Sequence, residues 1–105
     1  MMSTTLEVST KNYSDDRLAI KMALSHMETL VGSINGYALS EPHSNFGWTF
    51  FKIAIKPDLQ NAIEKKFADM LEKYHWSAPS QKFTNFMTDY FKSKNCKVKV
   101  KLLDS

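Results

Sequence analysis

At 105 residues, with 43% hydrophobic, 24% charged and 12% aromatic residues, the chain reads as a single domain over residues 1–105, and its composition is not that of a disordered polypeptide. No apolar run reaches the roughly 18–20 residues that cross a bilayer, the opening Met-Met-Ser-Thr-Thr lacks the blocks of a leader, and the lone cysteine, Cys96, cannot close an internal disulfide, so a cytoplasmic, non-membrane protein is expected. The charge of +3 is uneven: residues 1–51 sum to −2 and residues 52–105 to +5, with Lys92, Lys94, Lys97, Lys99 and Lys101 close together, which favours an anionic partner.

Leu6 and Val8 alternate with Glu7 and Ser9, the period of a short half-buried strand. Ser14 is placed to cap a helix whose first turn holds Asp15 and Asp16, where carboxylates complement the dipole. Along that helix Ile20, Ala23, Leu24, Met27, Leu30, Val31 and Ile34 recur at spacings of three and four, which is one apolar face. Gly32 and Gly36 bracket its end. Tyr37 to Ser40 forms a second short strand, and Glu41, Pro42, His43, Ser44 and Asn45 supply turn residues.

Phe46 to Lys56 is the clearest strand. Thr49, Phe51, Ile53 and Ile55 sit on one side of the pleat, and Phe46, Trp48, Phe50, Lys52 and Lys56 on the other. Pro57 and Asp58 open a helix with Leu59, Ala62, Ile63, Phe67, Met70, Leu71 and Tyr74 on its apolar stripe. Ser77 to Ser80 interrupt it. A third helix carries Phe83, Phe86, Met87, Tyr90 and Phe91, and a last strand sets Val98, Val100 and Leu102 against Lys97, Lys99 and Lys101. The expected class is α+β: a ferredoxin-like β-α-β-β-α-β antiparallel sheet with helices on one face and one extra helix before the last strand.

With helices on one face, the other exposes Phe46, Trp48, Phe50, Lys52, Lys56, Lys97, Lys99 and Lys101 together. Aromatic rings stack on unpaired bases and ammonium groups neutralise phosphates, so this mixture suits RNA or single-stranded DNA. His43, in the expected loop beside Phe46 and Trp48, is a further binding candidate. The run Ser44-Asn45-Phe46-Gly47-Trp48-Thr49-Phe50-Phe51 resembles the central-strand signature of the RNA-recognition-motif family, with Phe46, Gly47, Trp48 and Phe51 matching. The resemblance implies base stacking on Phe46 and Trp48. Ser44 and Asn45 replace that family's basic residue and first glycine, Thr49 replaces an aliphatic residue, and Glu7 stands on the first strand where a partner aromatic would be.

Catalytic chemistry is not expected. Glycines at 32, 36 and 47 alone make neither a P-loop nor a dinucleotide fingerprint. His26, His43 and His75 lack the spacing of a zinc site, so no metal or cofactor is anticipated. Cys96 has no neighbouring base in sequence to activate it. The expectation is thus a small non-catalytic binding module for nucleic acid or an acidic protein surface. The alternatives are a protein-binding inhibitor or adaptor of the kind carried by phages and mobile elements, and a homodimer formed through the same sheet face.

Overall fold

The computed structural model describes residues 4–103; residues 1–3, read above as part of a leaderless start, lie outside them. The chain runs β1 (Thr4–Thr10), α1 (Tyr13–Val31), β2 (Tyr37–Leu39), β3 (His43–Asn45), β4 (Trp48–Ile55), α2 (Pro57–Lys66), α3 (Ala68–Leu71), a 3-10 turn (Glu72–Tyr74), α4 (Pro79–Ser93) and β5 (Lys99–Leu103). This is a mixed α+β fold with a five-stranded antiparallel sheet and four helices. The order of elements is longer than the expected β-α-β-β-α-β series plus one helix. His43–Asn45, read as part of a turn, is a strand paired with the first half of β4, and the stripe that follows Pro57 is broken at Phe67 into two helices and a turn.

β4 and β1 form the centre of the sheet. β4 pairs with β1 from Thr49 to Ile55 on one edge; its other edge takes β3 near Trp48 and β2 near Ile55. β1 then pairs with β5. The two middle strands therefore carry the core: Leu6, Val8, Phe51, Ile53 and Ile55 are all buried. They share one hydrophobic cluster with Ile20, Leu24 and Met27 of α1, Leu59 and Ile63 of α2, and Phe83, Met87 and Phe91 of α4. Each such side chain gains about 1.5–3 kcal/mol on leaving water. The Tyr90 hydroxyl donates to the Ala23 carbonyl at 2.7 Å, which pins α4 beside α1. The third long helix thus joins the helical layer, and the opposite sheet face is left open.

Local details correct the sequence reading at several points. Ser14 is inside α1, which starts at Tyr13 after Asn12; the junction is held by Thr10, whose hydroxyl donates to Asp16 and accepts from the Asn12 N–H. α1 stops at Gly32, which is left-handed at φ 72, so Ile34 falls beyond the helix and is 84% exposed. Gly36 has a different role from helix termination. A Cβ there would lie 2.5 Å from the Leu59 Cβ, so its hydrogen side chain allows α2 to approach the segment leading into β2.

Candidate nucleic-acid interface

The open face is assembled by register. Phe50 stands opposite Ser9, which stands opposite Lys99; Lys52 stands opposite Glu7, which stands opposite Lys101. Paired residues in neighbouring strands point to the same side of the sheet, so three strands contribute to each row. β3 extends the first row, because His43 is paired with Phe50 and their rings stack at 5.4 Å with planes 19° apart. Lys52, Lys99 and Lys101 are exposed, while Glu7, Ser9, Trp48 and Phe50 are part-exposed.

Trp48 is the centre of this surface. The Lys11 ammonium lies 4.8 Å and the Lys99 ammonium 5.0 Å from its ring centroid, within the range of cation–π attraction. Beside the indole is a depression of about 400 Å³ lined by Ser9, Trp48, Lys92, Asn95, Cys96, Lys97, Val98 and Lys99. A smaller hollow of about 240 Å³, lined by Ser9, Trp48, Phe50 and Lys99, adjoins it. Among the described residues, no carboxylate lines either one.

The expected site residues divide into three groups. Trp48, Phe50, Lys52, Lys99 and Lys101 share the open face, and His43 joins them from a strand instead of a loop. Lys97 precedes β5 instead of belonging to it, yet borders the Trp48 depression. Phe46 and Lys56 are misplaced by the sequence reading. Phe46 occupies the two-residue turn between β3 and β4, at φ 52 beside Gly47 at φ 81, and is 95% exposed. A type I′ hairpin turn requires positive φ at both central residues, and an aromatic residue holds that conformation at a cost. Lys56 follows the last residue of β4, where its N–H bonds the Gly36 carbonyl at 2.8 Å; it is at the far end of the strand from Trp48.

Lys11, Lys92 and Asn95 were not anticipated. Reading the first strand as only Leu6 to Ser9 hid Lys11: carrying its alternation on past Thr10 places Lys11 on the Glu7 side. Lys92 and Asn95 reach the site from the end of α4, and no local pattern connects them with Trp48.

Two other features complete the chemistry. Cys96 is buried, and burial, with Asp16 nearby, pushes its thiol above the usual range, so it is a poor nucleophile at neutral pH. On the helical side, Leu30, Phe67, Met70, Phe86 and Tyr90 line a groove of about 340 Å³ bordered by Asp69, Lys73 and Asp89. At its edge the Tyr74 hydroxyl donates to Asp89; burial, then the Asp89 bond and charge, push its pKa up to about 12. Among the described residues, no group of three or more His, Cys, Asp or Glu is arranged to hold a metal ion, and no helix is long and apolar enough to cross a membrane. Comparison with protein-family models, curated proteins and solved structures gave no match to this chain.

Proposed function

We propose that the chain is a small non-catalytic module that binds single-stranded nucleic acid, RNA or DNA, on the open face of its sheet. The observation that carries the proposal is the Trp48 indole, part-exposed with the Lys11 and Lys99 ammoniums over its ring, beside a depression whose described lining holds no carboxylate. A base that stacks on the indole displaces one lysine from the ring, and the freed ammonium is then within reach of that nucleotide's phosphate. Stacking contributes about 1–3 kcal/mol per base, and phosphate neutralisation releases counterions. Phe50 follows Trp48 by two residues on the same face, about 7 Å along the strand, a separation that suits a second, splayed base. Phe46, 95% exposed in the turn two residues before Trp48, is a further candidate for base contact.

The ferredoxin-like reading of the fold belongs with this proposal. Its support is that β2 and β3 pair with the same edge of β4 and count as one interrupted edge strand, which leaves β4 and β1 central and β5 at the far edge. A single buried thiol also suits a reducing compartment, and we place the protein in the cytoplasm on that ground.

The test uses a Trp76→Phe chain, whose only indole is Trp48; Trp76 is 70% exposed, so its loss leaves the core intact. Single-stranded oligonucleotides are expected to quench Trp48 fluorescence, with affinity falling steeply as salt is added. Trp48→Ala, followed by fluorescence anisotropy of a labelled oligonucleotide, is expected to weaken binding by roughly 5- to 150-fold. Absence of quenching at low salt removes the proposal.

One observation favours a second reading, a protein-binding inhibitor or adaptor. The helical-side groove presents Met70 and Leu30 as exposed apolar residues, and such patches often mark protein contacts. Retention of a stoichiometric protein partner by the wild-type chain, lost in Met70→Glu and kept in Trp48→Ala, is the outcome that would prefer it. A homodimer through the sheet face predicts a dimer in light scattering that Trp48→Lys dissociates.

A further inference from the structure

We propose that the depression beside Trp48 is an end-recognition subsite: it takes one terminal nucleotide, with the base against the indole and a terminal phosphomonoester among Lys92, Lys97 and Lys99. The inference rests on the nucleic-acid reading above and adds to it which part of the strand is held there.

Charge is graded along the sheet. At the Trp48 end, Lys11, Lys92, Lys97 and Lys99 gather around the indole and its depression. In the middle, Glu7 stands between Lys52 and Lys101. Next along, Thr5 stands between Ala54 and Leu103, a row without charge, and Lys56 follows at the end of β4. A surface built to follow a phosphodiester chain needs cations at regular intervals along it. Here four cations converge on one end, whereas in the middle Glu7 offsets one of the two lysines beside it, so the attraction for phosphate is weaker there. A phosphomonoester carries nearly two negative charges at neutral pH, against one for a diester, so a convergent lysine cluster favours it.

The floor of the depression is also fixed in place. The chain leaving α4 turns at Asn95, which has φ 62. The Asn95 N–H bonds the Lys92 carbonyl and the Cys96 N–H bonds the Phe91 carbonyl, both at 3.0 Å. These bonds satisfy carbonyls at the negative end of the helix, and the buried Cys96 anchors the turn beneath Lys97. Lys92 is therefore presented from the last turn of α4, and Lys97 from a tied loop on a buried anchor.

The experiment compares three short oligothymidylates of equal length, one with a 5′-phosphate, one with a 3′-phosphate and one with hydroxyls at both ends, each titrated against Trp48 fluorescence in the Trp76→Phe chain. One phosphorylated end is expected to bind about 10-fold more tightly than the hydroxyl form, the effect of one added charge-assisted contact. The end that does so fixes the polarity of the bound strand. Lys92→Gln with Lys97→Gln is expected to abolish that preference while the hydroxyl oligomer still quenches Trp48 and the thermal midpoint is unchanged. Equal quenching and affinity for all three oligomers overturns the subsite and leaves the nucleic-acid reading standing. No quenching by any of them removes the binding reading itself, and the subsite with it.

Discussion

The two sides of β4 share a backbone and differ in almost everything else. On one, Phe51, Ile53 and Ile55 are sealed under the helices; on the other, Trp48, Phe50 and Lys52 meet solvent. The buried side is bonded to the rest of the fold through one cluster that draws on all three long helices. The open side is held by contacts near the surface, including the His43–Phe50 stack and the lysines over Trp48. The contrast teaches that the pleat separates packed from solvent-facing side chains one residue apart, so, on the proposed function, substitutions at adjacent positions should have different consequences for stability and for binding.

The largest effect is expected from Phe51→Ala. It removes a buried ring in contact with Tyr13, 5.5 Å away edge to face, and should cost about 3–5 kcal/mol in urea denaturation. Trp48, three residues earlier, should lose little stability on the same truncation; equal costs at the two positions would break the comparison. Next is Gly36→Ala, where the added methyl group collides with Leu59; overpacking of this kind costs about 1–3 kcal/mol, again read by urea denaturation. Without such a loss, the close approach of α2 to the β2 entry is not as tight as described.

Phe46→Asn is expected to act in the opposite direction. Asparagine accepts positive φ more readily than phenylalanine, so the hairpin should gain about 0.5–1 kcal/mol of stability. Oligonucleotide affinity should fall, because the exposed ring is gone. A more stable variant with undiminished affinity would exclude Phe46 from the interface. The smallest change is expected for Lys52→Gln: stability within about 0.5 kcal/mol of wild type, and a slope of log affinity against log salt shallower by about 0.7, the single-strand value for one phosphate contact. An unchanged slope would show that the middle row, where Glu7 faces Lys52, makes no phosphate contact, and would sharpen the case for a site confined to the Trp48 end.

Much of this was legible from local pattern. The alternation from Thr49 to Ile55 identified the central strand and both of its faces, and the spacing from Ile20 to Met27 identified the buried side of α1, because both patterns arise from backbone periods that are fixed locally. Phe46 broke the pattern for a local reason that alternation could not register. Asn45 and Trp48 are paired across the hairpin, so Phe46 and Gly47 must form its turn, and an aromatic residue is an unusual occupant of positive φ. His43 went from loop to strand because three polar residues gain their pairing from β4 and carry no apolar signal of their own.

The sequence by itself determined most of the residues that leave water, although Leu30, Ile34 and Met70 of the same stripes stay exposed, together with the α+β class and the side of the central strand on which lysine and tryptophan stand. Only the tertiary structure decided that α4 packs beside α1, through the Tyr90–Ala23 bond, and leaves the sheet open. It alone brought Lys11 to the Trp48 ring and Lys92, eighty-one positions away, to the depression beside it. Apolar periodicity says that a helix has a face to bury; which partner covers it depends on chain connectivity and on competition among all the apolar faces for contact, and that is settled only when the whole core closes.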